Sequence, residues 1–539
     1  MQKVLTAEQM REVDRLTTEK YGIPSILLME DAAQAVARVV EEKLAGSLSG
    51  KPVLILCGKG NNGGDGAAVS RILWRKGALV TSVLFGKTSD LKGDAAVNVQ
   101  ILEKLARNAG SSPAESGDLN FYNIDDDVTR HIHHFLQLPD PKVVVDAMFG
   151  TGLTRKLERP FPDVIKQLEK HSYLVLSVDI PSGIDADRGQ TTGDHVNAAA
   201  TVTFTAPKAG NVIPPASRSN GDLTIADIGS PRGLIDDQPS QLFLAEDGDV
   251  KRWLAQSEFS SSSYKNKRGH ALIIAGSRNY TGAAVLCGDA AIRSGVGLTT
   301  LSVPESSRES VVARVSPEVM VRGISETADG SASERAFENV AEFTDNVDVI
   351  AIGSGLSSKE DETRAFIHRI VTERRTPIVV DADGLTALSP FDITGSQELP
   401  LILTPHEGEF MRLLGTQDKS VMDDRVKVVR DFAVKHQVIL VLKGERVLMG
   451  EPGGRVVVNP TGNPGLGKAG NGDTLTGIIT GFAAQAVQMN IDMFETVVAA
   501  VYIAGFAGDI AEKKYGKRVM TASDTRECLA ETFAAFADD

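Results

Sequence analysis

Cysteine is scarce in this 539-residue chain, which holds Cys57, Cys287 and Cys528 only. The three are far apart, odd in number and without a CxxC pair. That argues against a disulfide framework or a thiolate metal site and fits reduced thiols in a cytosol. Long hydrophobic runs are missing as well. No stretch approaches ~20 uninterrupted apolar residues, so no bilayer-spanning segment is expected. Positive charge is in deficit: 57 Lys and Arg stand against 71 Asp and Glu, for a net charge of -14. With a pI of about 5.3, the chain has no general electrostatic affinity for nucleic acid or an anionic membrane. Any phosphorylated ligand must be held locally. The first residues, MQKVLTAEQMREVDRL, lack the basic head and apolar core of a secretory signal and are expected to fold as a helix.

What is present is ordinary for a globular protein, with 42% hydrophobic and 24% charged residues. The length accommodates two to four domains of about 100–200 residues. Thr6 to Gln9 reads as a capping box opening a first helix, and SILLMEDAAQAVARVVEEKL as a second. KPVLILCG, LVTSVLFG, PKVVVDAMFG and YLVLSVDIPSG are short apolar runs ending in glycine or proline, the mark of buried strands. Helical stretches separate them, which predicts a parallel sheet with helices on both faces. The alternation weakens from Asn220 to Gly248, where DIGSPRGLIDDQPSQ has loop chemistry and FSSSSYKNKRG downstream reads as exposed loop. It resumes with HALIIAG, LTTLSVP, VDVIAIGSG, TPIVVDADG, LPLILTPHEGEF, VILVLKG and RVVVNP. The expected architecture is therefore α/β, with two doubly wound domains over residues 1–235 and 245–539. Ligands of such sheets lie outside the carboxyl ends of the strands.

At one strand end, GNNGGDG (Gly60 to Gly66) leads into a helix. Glycines let backbone N–H groups approach an anion, and a helix N-terminus favours negative charge. The spacing matches neither the dinucleotide GxGxxG nor a P-loop, and taken alone it suits a tight turn equally well. DAMFGTGLTRK places Asp146 at a second strand end, before another Gly-rich loop, and DIPSGID places Asp179 and Ser182 at a third. Oxygen ligands of this kind suit a hard cation rather than zinc, and a single carboxylate suits a monovalent one.

GNNGGDG, DAMFGTG and DIPSGID, with MREVDRLTTEKYGIPSILLME upstream, resemble the YjeF N-terminal domain, the NAD(P)H-hydrate epimerase, over roughly residues 1–230. The resemblance implies a Rossmann-like fold. It implies that Asn62, Asp146 and Ser182 hold a potassium ion. Asn61, Asn62, Gly63, Gly64 and Asp65 would cradle the ligand phosphates, together with Gly150, Thr151, Gly152, Leu153, Thr154, Arg155 and Lys156. Asp179 would sit at the reacting nicotinamide ring. The chain departs from the family's usual MENAG by having MEDAA, with Asp31 in place of Asn.

Further along, RVVVNPTGNPG is a strand followed by turns, and Leu475, Ile478, Ile479 and Phe482 recur on one helix face. Gly470, Asn471, Gly472 and Asp473 therefore lie at a helix N-terminus. Free N–H groups there could stabilise a phosphoryl group in transfer, with Asp473 as the base that takes a proton from the attacking hydroxyl. An Asp at such a position is ordinarily an N-cap worth about 1 kcal/mol, but this loop is far longer than a cap requires. By contrast, HIHH at His131, His133 and His134 sits in a polar stretch with no second ligand cluster and reads as a solvated segment.

KNKRGHALIIAGSRNYTGAA, IGSGL, VVDADGL, LTPHEGEF, VLKG and NPTGNPGLGKAGNGDTLTGIITG resemble the YjeF C-terminal domain, the ribokinase-like, nucleotide-dependent NAD(P)H-hydrate dehydratase, over roughly residues 245–539. The resemblance implies a catalytic Asp473, with Ala283, Gly355 and His406 also contacting the hydrated nucleotide. Lys443, Gly444, Glu445, Arg446, Val447 and Gly472 would bind the adenine nucleotide, and Mg²⁺ would ride on its phosphates. Lys468 and Asn471 depart from the small residue and the Ser or Thr usual there. Together the two halves imply a cytoplasmic, homo-oligomeric repair enzyme that takes hydrated NADH or NADPH and an adenine nucleotide, ADP being the usual donor for bacterial and archaeal fusions in this order. The second half alone also fits a small-molecule kinase, and a nucleotide-shaped binding protein without catalysis is a further alternative. The fused first half, and the presence of Asp179 and Asp473, favour the repair enzyme.

Overall fold

The computed structural model describes residues 1–109, 118–124, 142–171, 173–261 and 263–537. The HIHH segment lies outside them. The chain divides into two compact units, Lys3–Ser240 and Gln241–Asp539, the latter also including Met1–Gln2.

The first unit opens with α1 (Ala7–Tyr21), capped as its sequence predicts. Gln9 N donates to Thr6 Oγ1 at 3.2 Å, and Thr6 N donates to Gln9 Oε1 at 2.9 Å. After α2 (Ser25–Lys43) the chain alternates between strands and helices. The strands are β1 (Pro52–Cys57), β2 (Leu79–Phe85), β3 (Leu119–Ile124), β4 (Val143–Ala147), β5 (Val175–Val178), β6 (Ala200–Phe204) and β7 (Asp222–Ala226). Helix α3 (Asn61–Arg75) follows β1 and α4 (Gly93–Ala109) follows β2. The sheet runs in the order β7-β6-β5-β4-β1-β2-β3, and every pairing is parallel. Strands β1 and β4, which are neighbours, lead outward in opposite directions and form a switch point. The central strands are buried on both faces, which is why they read as unbroken Val, Ile and Leu runs.

In the second unit the strands are β8 (Leu242–Leu244), β9 (His270–Ile274), β10 (Leu298–Pro304), β11 (Met320–Ile324) and β12 (Val349–Ile352), then β13 (Ile378–Val380), β14 (Leu401–Leu403), β15 (Ile439–Leu442), β16 (Leu448–Gly450) and β17 (Val456–Val458). They line up as β8-β17-β16-β15-β14-β13-β12-β9-β10-β11. Only β16 runs antiparallel to its neighbours in this row. Helices α5 (Thr281–Ile292), α6 (Glu407–Leu413), α7 (Asn471–Met489) and α8 (Met493–Tyr515) matter for the site. Helix α8 is long and apolar enough to cross a membrane by length and composition. In this unit it is a core helix, with Val497, Val498, Ala500 and Ile503 fully buried. Trp253 stacks on Phe482 of α7 at 4.0 Å and donates to Thr496 of α8 at 3.0 Å, so the indole satisfies its one polar atom while burying its ring.

Two expectations need correction. Asn220 to Gly248 contains β7, β8 and the short helix Arg232–Asp236 rather than loop alone. β7 is an edge strand with partly exposed, polar residues, so no apolar run announces it. In FSSSSYKNKRG, Arg268 is buried: its guanidinium donates to the Ser257 carbonyl at 2.6 Å and to Gln485 Oε1.

Candidate active sites

In the first unit, the loops after β1, β4 and β5 carry the expected residues. Gly60 caps α3 without a side-chain bond, and Asn62, Gly63, Gly64 and Asp65 are buried in its first turn, while Asn61 is exposed. A Cβ at Gly63 would lie 1.9 Å from the Gly58 carbonyl oxygen, so this turn demands glycine for close packing. Gly150 lies against Asn62: a Cβ there would be 3.2 Å from Asn62 Oδ1. Gly150 and Thr151 are half-buried, Leu153 is buried, and Gly152, Thr154, Arg155 and Lys156 project as an exposed edge.

Asp146, at the end of β4, is fully buried. Its Oδ1 accepts from Ser182 Oγ at 2.6 Å, and its Oδ2 accepts from Ser182 N and Ser177 Oγ, both at 2.9 Å. Burial raises its pKa, and these hydrogen bonds oppose the rise. Asn62 Nδ2 is buried without a partner. A buried carboxylate with no ion-pair partner among the described residues, beside the Ser177 and Ser182 hydroxyls, is an oxygen set that fits a monovalent cation.

Asp179 follows β5 with φ of 65°. Its Oδ1 accepts from Lys208 Nζ at 2.6 Å and from Thr203 Oγ1 at 3.0 Å. The Lys208 ammonium is buried and also donates to Thr203 Oγ1 and the Phe204 carbonyl. Two further carboxyls feel this pair. Asp65 is pushed well up by burial and by repulsion from Asp179 and Asp14. Burial raises Asp14 to about 6, against the pull of Lys208. Lys208, Thr203 and Asp14 escaped the sequence reading. A lysine in the apolar setting TAPKAG is the one signal that could have found Lys208.

In the second unit, Gly470 caps α7 in a left-handed conformation, again without a side-chain cap, and Asp473 stands in the first turn. Burial lifts Asp473 to about 6, Asp381 repels it further, and the Ser354 hydroxyl and Lys443 pull it down. It is not the helix N-cap. Gly472 brings three motifs together: a Cβ there would lie 3.5 Å from Lys443 Nζ and 3.8 Å from Asp381 Oδ2.

Asp381, at the end of β13, is the hub of this site. Its Oδ1 accepts from Lys443 Nζ at 2.7 Å and Thr404 Oγ1 at 2.8 Å, and its Oδ2 accepts from Thr476 Oγ1 at 2.9 Å. Burial works against the Lys443 charge, but Asp381 and Glu409 outweigh it and hold the ammonium pKa raised. Sequence reasoning named the VVDADGL motif without giving Asp381 a role.

His406 begins α6, and its Nδ1 accepts from Gly408 N at 3.0 Å. That leaves the exposed Nε2 edge facing outward, 3.5 Å from Glu409 Oε1. A backbone bond from Lys443 N to the Pro405 carbonyl, 2.8 Å, sets His406 beside Lys443. Gly355 and Ala283 also meet: a Cβ on Gly355 would stand 2.8 Å from that of Ala283. Gly444, Glu445, Arg446 and Val447 form the turn between β15 and β16, tied down by Arg446 donating to the Pro460 carbonyl and Arg425 donating to the Arg446 carbonyl. Lys468 is exposed, but its ammonium is not free in solvent. Its ammonium donates to three backbone carbonyls. Among the described residues, no group of three His, Cys, Asp or Glu side chains is placed to hold a metal ion.

Two family models match the chain, one described as YjeF-related protein N-terminus over residues 25–210, the other as NAD(P)H-hydrate dehydratase over residues 271–530. A bifunctional NAD(P)H-hydrate repair enzyme from Moorella thermoacetica is 36% identical over 98% of this chain and 96% of its own. One from Thermofilum pendens is 34% identical over 100% and 97%. Among solved structures, the ADP/ATP-dependent NAD(P)H-hydrate dehydratase from Bacillus subtilis co-crystallized with ATP/Mg2+ is 30% identical and has a TM-score of 0.47, covering 55% of this chain and 99% of that one. Matched along nearly its whole length at this identity, the chain belongs to the family of bifunctional NAD(P)H-hydrate repair enzymes.

Proposed function

We propose that this chain repairs hydrated NADH and NADPH, its first unit interconverting the R and S forms and its second dehydrating the S form with ADP or ATP. The observation that carries the second half is Asp473, a carboxylate with its pKa raised to about 6 at an uncapped helix N-terminus. Hydroxide is a poor leaving group, and phosphorylation converts it to phosphate. Asp473 takes the proton of the ring hydroxyl as its oxygen attacks the terminal phosphoryl group. The N–H groups of Gly470 and Gly472, at the start of α7, stabilise the charge on the transferring oxygens. Phosphate then departs as the ring nitrogen forms a double bond to the same carbon. Loss of a proton from the neighbouring carbon restores the reduced nicotinamide. A pKa one unit below neutrality leaves Asp473 about nine-tenths ionised at pH 7, and close to the optimum for a base.

Lys443 has a fixed place beside Asp381 and serves the nucleotide together with the turn Gly444–Val447. The magnesium ion arrives on the nucleotide phosphates as part of that substrate. Ala283, Gly355 and His406 take the hydrated nicotinamide nucleotide. In the first unit, Asp179 faces the reacting ring with Lys208 as its counter-ion, and the turns at Asn61–Asp65 and Gly150–Lys156 hold the phosphates. Asn62, Asp146 and Ser182 would hold potassium, whose charge would compensate the buried Asp146 carboxylate. A cytosolic setting fits three free, buried thiols.

A ribokinase-type kinase would share Asp473 and the helix N-terminus. The test is to incubate hydrated NADH with the protein and ADP or ATP in parallel. Regenerated NADH absorbance is expected with at least one donor. Phosphorylated hydrate accumulating without NADH would favour the kinase, and no reaction with either donor would overturn the proposal.

A further inference from the structure

The stretch Asn459–Gly477 is held from two sides. Its first half docks on α8. Gly462 N donates to Asp509 Oδ2 at 2.9 Å, Asn463 Nδ2 donates to Asp509 Oδ1 at 3.0 Å, and Thr461 Oγ1 donates to the Tyr502 carbonyl at 2.9 Å. Its second half, which leads into Asp473, meets the segment that follows α8. Lys468 Nζ donates to the carbonyls of Lys517 at 3.0 Å, Arg518 at 2.8 Å and Met520 at 2.7 Å. An ammonium has three donors, and all three are used. Five residues further along, Thr525 Oγ1 donates to Asn471 Oδ1 at 3.2 Å. Lys468 and Asn471 thus reach the same segment.

Two glycines of the loop fit against it too. A Cβ at Gly465 would lie 2.4 Å from Met520 Sδ, and one at Gly470 would lie 3.0 Å from the Ala522 Cβ. The loop and residues 517–525 therefore interlock by polar bonds and by shape. An exposed lysine ordinarily gains little from a single surface contact, because ordering its long side chain costs entropy. Three converging carbonyls fix the ammonium in one place instead. From that anchor the chain runs only five residues to Asp473, in the first turn of α7.

We propose that residues 517–525 brace the phosphoryl-transfer loop and that Lys468 is a positioning residue, setting the Asp473 carboxylate against the attacking hydroxyl. The inference rests on the role of Asp473 proposed above. A shift of about 1 Å in a reacting group costs up to roughly a hundredfold in rate. Lys468→Ala is accordingly expected to lower kcat for nucleotide-dependent dehydration by about ten- to a hundredfold, with little change in KM for the hydrate. Since the site is exposed, a small primary amine such as ethylamine in the assay can occupy the carbonyl cage and restore part of the rate, as should Lys468→Arg. Thr525→Val keeps the shape, removes the bond to Asn471, and should lower kcat about two- to tenfold. It reports on the brace even if Lys468→Ala does not fold.

Wild-type kcat in Lys468→Ala, or in Thr525→Val should the alanine variant not fold, would overturn the proposal. So would a loss in Lys468→Ala that neither arginine nor added amine repairs, since that would make Lys468 a folding residue alone. Asp473→Asn run beside these separates the two readings. If that variant is inactive while Lys468→Ala matches wild type, only the brace fails. If Asp473→Asn dehydrates at full rate, the assignment beneath it fails.

Discussion

Replacing Asp473 by Asn removes the proposed base while keeping the shape of the side chain. General base catalysis contributes about 10²–10⁴-fold, so kcat should fall by that factor, equivalent to about 3–5 kcal/mol in the barrier. The assay is NADH absorbance regained from the S hydrate at saturating ADP or ATP. The wild type should show an acid limb that is half-maximal near pH 6, since burial and Asp381 hold the carboxyl at about 6. The residual rate of the variant should lack that limb. Stability moves the other way. The folded-state pKa lies above the unfolded value, so the folded protein takes up this proton first as pH falls, and this group adds stability between about pH 6 and pH 4. Acid loss of activity at pH 6 is thus not unfolding caused by Asp473. Removing the strained charge should leave stability at pH 7 equal to or above that of the wild type, by at most about 3 kcal/mol for a shift of about two units, with the melting temperature unchanged or raised. A variant within tenfold of wild-type kcat, or one that keeps the same acid limb, refutes the base assignment.

Other perturbations test other parts of the two sites. Asp381→Asn strips Lys443 of its close partner and weakens the bonds to Thr404 and Thr476. Breaking a buried pair on one side should cost about 2–4 kcal/mol, visible in chemical denaturation of the second unit. Gly63→Ala sets a methyl group 1.9 Å from the Gly58 carbonyl oxygen. It should abolish epimerisation and destabilise the first unit by about 3 kcal/mol or more, while dehydration of the pure S hydrate persists. Asp146→Asn should remove any potassium dependence of ligand binding to the first unit, measured by calorimetry with and without potassium. A wild type indifferent to potassium would refute the cation reading. Lys208→Met should slow R-to-S conversion while sparing dehydration of the S form.

What the sequence discloses follows from what burial does to composition. PVLILC and HALII are buried strands and stand out as apolar runs, closed by Gly58 and by Ala275–Gly276 respectively. β7 is half-exposed at an edge, so its DLTIA mixes polar and apolar residues and passes for loop. The site motifs were legible where the chain must bare its backbone, as at GNNGGDG and GKAGNGD. The long-range partners were not. Lys208 meets Asp179 across 29 residues, Lys443 meets Asp381 across 62, and Thr476 meets Asp381 across 95. No periodicity encodes such pairings, because they depend on which strand ends the sheet order places side by side. Lys468 was opaque for the same reason: its acceptors are backbone carbonyls, which carry no residue signature at all.

Both units share one further device that local sequence conceals. Each holds a non-glycine residue at positive φ within two residues of a strand end: Asp179 at 65°, the first residue after β5, and Ala382 at 47°, the second after β13. Such a conformation costs about 1–3 kcal/mol and survives only where its surroundings over-determine it. Around Asp179 they do, since its N–H donates to the Val202 carbonyl at 2.7 Å, its own carbonyl accepts from Asn211 Nδ2 at 3.2 Å, and its carboxylate is held by Lys208 and Thr203. At Ala382 the neighbouring Asp381 is fixed by Lys443, Thr404 and Thr476, and the Ala382 carbonyl accepts from Thr386 N at 3.1 Å. In both cases the bend turns the chain sharply where an extended strand would carry on, and the carboxylate beside it is left at the mouth of the sheet. The same geometry explains why the acidic groups of each site feel one another: Asp179 repels Asp65 and Asp14, and Asp381 repels Asp473. A strand-end Asp held by a lysine adds its repulsion to the effect of burial on the carboxyls around it. Burial first, and Asp381 after it, thus turn a carboxyl with an ordinary pKa near 4 into a base matched to neutral pH at Asp473.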